Sequence, residues 1–89
     1  MELSDIRKEI DTINDQILSL FLRRMALSQE VAACKREQGL PVLNPQREQE
    51  ILDRIEAQAG DMAPYARRLF TTLFELSRNY QSGLLDREG

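Results

Sequence analysis

The residues that interrupt an apolar pattern carry the chemistry of this sequence. In the stretch LSLFLRRMALSQEVAACK, residues 18–35, apolar side chains recur at helical spacing, yet Arg24 takes a place that calls for Leu or Ile. Lys35 follows about three helical turns later, roughly 20° from eclipsed, with its alpha carbon about 16 Å away. Two long cationic side chains so placed can grip opposite ends of a small anion. Ser77 and Gln81, four residues apart, extend the apolar face of Phe70, Leu73 and Phe74, and Arg47 and Glu48 stand together behind NP at 44–45. Each has an ordinary alternative. A polar residue in a helical seam fixes register, Lys35 near a helix end compensates the dipole, Ser77 and Gln81 can edge into water, and Arg47 and Glu48 can form a solvated face. Unpaired burial of Arg or Lys costs several kcal/mol unless an anion meets it, so three interrupted segments together point to a shared anion site.

The rest of the composition limits what such a site can do. The 89 residues include no histidine, which removes the commonest general acid or base, His-based metal sites, and Ser-His or Cys-His pairs. The single cysteine, Cys34, falls in the apolar series and is expected to pack rather than to react, and it offers no disulfide framework. No glycine-rich phosphate loop is present. A net charge of -3 argues against nucleic acid as a partner. No apolar run approaches the ~20 residues of a membrane span, and MELSDIRKEID does not resemble a signal peptide, so no membrane association and a cytoplasmic location are expected. If the protein is an enzyme, chemistry that needs neither a metal nor an obvious proton shuttle is the expectation.

The elements that must position these groups are helices. Leu3, Ile6, Ile10, Ile13, Ile17, Leu20, Arg24, Leu27, Val31 and Cys34 advance in steps of three and four, one continuous stripe. Gly39 and Pro41 supply its stop. Roughly 35 residues make a rod about 50 Å long. A second helix is predicted from the cap Asn44 and Pro45, through Ile51, Leu52 and Ile55 to about Gln58, ended by Gly60. A third is predicted from around Pro64, with Ala63 or Asp61 as cap, through Phe70, Leu73, Phe74 and Tyr80 to about Ser82, before Gly83. The fold class is therefore all-α, a three-helix chain with one long N-terminal helix, read as a single domain over 1–89. Two shorter helices cannot cover so long a stripe, and exposed apolar surface of that extent predicts an intertwined homodimer.

Together LSDIRKEIDTINDQILSLFLRR, EVAACK, GLPVLNPQRE and RLFTTLFELSRNYQ resemble the all-helical (type II) class of chorismate mutases over nearly the whole chain. The resemblance implies an intertwined dimer with two active sites and a cofactor-free Claisen rearrangement of chorismate to prephenate, in aromatic amino-acid biosynthesis. By position, Arg24 resembles the arginine that holds one substrate carboxylate, with Ser77 nearby. Arg7 resembles the arginine that reaches the other carboxylate from the partner chain. Lys35 is similar to the lysine that bonds a carboxylate and the ether oxygen of the breaking bond, and Gln81 to its partner on that oxygen. Glu48 matches the acceptor for the substrate hydroxyl, with Arg47 supporting it. Asn44 departs from the Asp of many relatives; this changes little if the family's contact there is made by the backbone, and weakens hydroxyl recognition if by the side chain. Arg7 and Lys35, about 42 Å apart along one helix, cannot touch one small molecule from the same chain. The alternatives are an isochorismate pyruvate-lyase of the same fold, forming salicylate, and a non-catalytic helical dimerisation or regulatory module.

Overall fold

Helix α1 spans Leu3–Gln38 in the computed structural model, which describes the backbone of residues 1–88 and the side chains of residues 1–83. Neither Gly nor Pro falls within α1, and over half of it is Leu, Ala, Glu, Gln, Lys or Arg, residues that lose least on entering a helix. Asp5 in the first turn and Lys35 and Arg36 in the last complement the helix dipole. Gly39 ends the helix in the left-handed region, at φ 68° and ψ 27°. Its N–H donates to the Arg36 carbonyl at 3.2 Å, and Leu40 N–H donates to the Lys35 carbonyl at 2.8 Å. This pair of bonds is a Schellman stop, and it needs the φ that glycine adopts without strain.

Helix α2 spans Pro45–Ala59 and starts as its sequence predicts. The Asn44 Oδ1 accepts from Arg47 N–H at 3.1 Å, satisfying one orphan donor, and Pro45 takes the first helical position. Gly60, at φ 57°, turns the chain into a short 3-10 segment, Gly60–Met62, which leads directly into α3, Ala63–Glu88. Two expectations for α3 are corrected. Neither Ala63 nor Asp61 is its cap: Ala63 is already its first residue, and Asp61 lies inside the 3-10 turn, where Ala63 N–H donates to the Gly60 carbonyl. Nor does Gly83 end it: the helix continues to Glu88. A helical glycine costs about 1 kcal/mol relative to Ala, and that weakens a helix without stopping it.

α3 lies between the other two helices, packing against α1 on one side and α2 on the other. The described residues are all-helical, as expected, with no strand among them. Among the described residues, no helix is long and apolar enough to cross a membrane. Among the described residues the buried apolar side chains are Ala32, Leu52 and Phe74, and α1 buries only Ser28 and Ala32. Its stripe lies open from Ile6 to Leu20, with Ile13 51% and Ile17 59% exposed. Cys34, expected to pack, is exposed as well, because the stripe it shares with Leu27 and Val31 is uncovered in the single chain. The chain presents 7115 Å² to solvent, where a compact 10.3 kDa monomer presents about 5,400 Å². Its radius of gyration is 16.3 Å, against about 12 Å for a compact chain of this length.

Candidate active site

A cavity of about 320 Å³ opens where all three helices and the 39–44 connection meet. α1 contributes Arg24, Ser28 and Lys35, the connection contributes Val42 and Asn44, α2 contributes Arg47 and Glu48, and α3 contributes Ser77, Arg78 and Gln81. Leu27, Val31, Ile51 and Phe74 form its apolar wall. Every residue singled out in the sequence lines this cavity except Arg7. Its size and its mixed lining fit a small polar ligand.

The polar side chains are ordered by one another. Gln81 Nε2 donates to Ser77 Oγ at 3.2 Å, Ser28 Oγ donates to the Arg24 carbonyl at 3.1 Å, and the two serine hydroxyls lie 2.6 Å apart. A hydroxyl has one proton, and that of Ser28 is committed to the Arg24 carbonyl. Ser77 therefore donates to Ser28, and the bonds run in one direction from Gln81 to the α1 backbone. Ser28, Ser77 and Gln81 are all buried, so the expectation that Ser77 and Gln81 might edge into water is set aside in favour of the cavity. Gln81 Oε1 is buried and has no hydrogen-bond partner among the described residues.

The cations are arranged differently from one another. Half-buried Arg24 sets its guanidinium over the Phe74 ring, 5.7 Å from the centroid, and no carboxylate among the described residues lies within ion-pair distance of it. Phe74 is itself held edge-to-face by Phe70, with centroids 6.5 Å apart. Lys35 Nζ donates to the Val42 carbonyl at 2.6 Å and likewise has no carboxylate partner among the described residues. Arg47 is largely exposed and approaches Glu50 at 3.8 Å. Arg78 Nη1 donates to Glu48 Oε2 across the gap between α3 and α2. Among the described residues Glu48 is the sole carboxylate of the lining, against Arg24, Lys35, Arg47 and Arg78. Such a cavity favours anions, with two of its cations lacking an internal countercharge. Among the described residues, no group of His, Cys, Asp or Glu side chains is disposed to hold a metal ion.

Arg7 lies elsewhere. It is exposed near the start of α1, about 25 Å along the helix from Arg24 and about 42 Å from Lys35. Asn44 spends its side-chain oxygen on the α2 cap, a task Asp performs equally well. The sequence reading missed Ser28 and Arg78. The signal for Ser28 was its place one turn after Arg24; that for Arg78 was its place between Ser77 and Gln81 on a face already marked as polar.

A family model described as chorismate mutase type II matches residues 6–82. The chain belongs to the type II chorismate mutase family. A chorismate mutase of Methanocaldococcus jannaschii is 44% identical over 54 residues, 61% of this chain and 54% of that protein. A bifunctional chorismate mutase/prephenate dehydratase of Aquifex aeolicus is 41% identical over 54 residues, again 61% of this chain but 15% of the relative. A T-protein of Haemophilus influenzae is 38% identical over 63 residues, 68% of this chain and 17% of the relative. The chain thus spans about half the length of the first of these relatives and less than a fifth of the other two. Among solved structures, a conserved hypothetical protein from Pyrococcus furiosus superposes with a TM-score of 0.72 at 34% identity, covering 89% of this chain and 93% of the other. In this type II family member the fold gathers Arg24, Lys35, Asn44, Arg47, Glu48, Ser77 and Gln81 around the cavity and leaves Arg7 outside it.

Proposed function

We propose that the protein catalyses the rearrangement of chorismate to prephenate. The observation that carries this reading is the convergence of Arg24, Lys35, Glu48, Ser77 and Gln81, from three helices, on one cavity whose cations exceed its carboxylates. The reaction breaks one carbon–oxygen bond and forms one carbon–carbon bond within a single molecule, with no net proton transfer. It needs a flexible dianion folded so that its ends meet, and donors aimed at the ether oxygen as charge grows there. In this reading Arg24 anchors one carboxylate beside Ser77. Lys35 bonds a carboxylate and the ether oxygen, and Gln81, with a second amide proton unspent, shares that oxygen. Glu48 accepts from the ring hydroxyl, Arg47 sits beside it at the rim, and Asn44 contributes through the start of α2. A millionfold acceleration requires roughly 8 kcal/mol, within reach of two or three preorganised charge-assisted contacts combined with conformational restriction.

The second carboxylate falls to Arg7 of another copy. The open stripe on α1 and the excess of roughly 1,700 Å² over a compact monomer support an intertwined homodimer. In that arrangement α1 of one protomer brings its N-terminal third to the cavity of its partner.

The test is direct. The purified protein is incubated separately with chorismate and isochorismate while ultraviolet absorbance is followed, and its mass in solution is measured by sedimentation. Prephenate from chorismate at the mass of a dimer is expected. Salicylate from isochorismate without prephenate would replace this reading with the lyase, and no turnover of either would leave a non-catalytic helical module.

A further inference from the structure

Among the described residues Glu48 is the one acid in the lining of this cation-rich cavity, and it meets a cation that the proposed chemistry has not used. Arg78 Nη1 donates to its Oε2, and the two side chains are only 28% and 24% exposed. The other cations around Glu48 are turned to other work. Arg47 approaches Glu50 at 3.8 Å, Lys35 donates to the Val42 carbonyl at 2.6 Å, and Arg24 lies over Phe74. The bond from Arg78 engages one carboxylate oxygen, so the second remains available to accept. An unrestrained Glu in the first turn of a helix samples several rotamers, whereas a charge-assisted bond to a guanidinium fixed on a neighbouring helix selects one.

We infer that Arg78 is a positioning residue that fixes Glu48 with one oxygen presented to the substrate's ring hydroxyl, and so sets selectivity for hydroxyl-bearing substrate. This rests on the function proposed above. Its signature is a specificity ratio, because a general loss of positive charge in the cavity affects every dianionic substrate alike and cancels.

The test compares kcat/KM for chorismate with that for the analogue whose ring hydroxyl is replaced by hydrogen. In wild type the hydroxyl-bearing substrate is favoured. Arg78→Met lowers that preference at least fivefold, Arg78→Lys restores it to within twofold, and Glu48→Gln/Arg78→Met is no worse than Glu48→Gln alone. An unchanged ratio in Arg78→Met, or losses that simply multiply in the double variant, would overturn the assignment while leaving the mutase reading intact. Absence of turnover by wild type would overturn the mutase reading, and this inference with it. If Arg78→Met does not fold, Arg78→Gln carries the same comparison; failure of both to fold would make Arg78 a structural tie between α2 and α3 and overturn the inference.

Discussion

Replacing Arg24 by Met should separate stability from catalysis. Met matches the length of the arginine stem and continues the apolar stripe. In the free protein the guanidinium has the Phe74 face, 5.7 Å away, and no carboxylate among the described residues. The variant forfeits a cation–π contact worth about 0.5–1 kcal/mol. It recovers part of the penalty of burying a charge, which is several kcal/mol at full burial and about 1–2 kcal/mol for a half-buried group. Stability is therefore retained or rises by about 1 kcal/mol, and a domain of this size then melts roughly 4–8 °C higher. Catalysis moves the other way. A charge-assisted, two-pronged contact to a carboxylate contributes about 3 kcal/mol or more, a fall in kcat/KM of roughly 150-fold. Thermal melts followed by circular dichroism, at equal protomer concentration, are read beside chorismate turnover. A drop of the midpoint by more than about 5 °C would mean that Arg24 holds the fold together; turnover within threefold of wild type would mean that it holds no substrate.

Three further outcomes follow from the same geometry. Mixing Arg7→Ala chains with Lys35→Ala chains should restore about a quarter of wild-type activity, since half the dimers are then mixed and each has one complete site of two; subunit exchange without recovery would rule out a shared site. Gln81→Glu places a carboxyl where the native side chain is 5% exposed, and burial raises its pKa above the usual ~4.3. Its protonated form can still donate to the ether oxygen, so activity persists at acidic pH and falls as pH rises through that pKa; a flat profile from pH 5 to 8 would remove Gln81 from the mechanism. Asn44→Asp should leave stability and kcat/KM within about twofold, whereas Asn44→Ala loses the cap and costs about 1 kcal/mol in denaturant titration; equal behaviour of the two variants would show that the bond to Arg47 N–H contributes nothing.

Much of this was legible in the sequence because the signals were local. Steps of three and four from Leu3 onward define α1, Gly39 supplies the conformation that stops it, and Asn44 with Pro45 starts α2. The same stripe exposed Arg24 as an anomaly. What escaped depended on relations between helices. Ser28 is an unremarked polar residue until α3 places Ser77 2.6 Å from it, and Arg78 becomes meaningful only opposite Glu48. Gly83 does not end α3, because a glycine stops a helix only where the backbone turns to positive φ, as at Gly39, and Gly83 lacks the proline that stands two residues after Gly39. Arg7 is different again: its own chain keeps it far from the cavity, so the role proposed for it requires a second copy.

Lys35 has two jobs. Its carbonyl takes the N–H of Leu40 at 2.8 Å while its ammonium donates to the carbonyl of Val42 at 2.6 Å. Chain reversal and charge placement are thereby riveted at a single point. Lengthening the 39–44 connection would displace the Val42 carbonyl that holds the ammonium. Variation is better absorbed beyond Ala59, where the reversal into α3 touches none of the groups that would meet the guest.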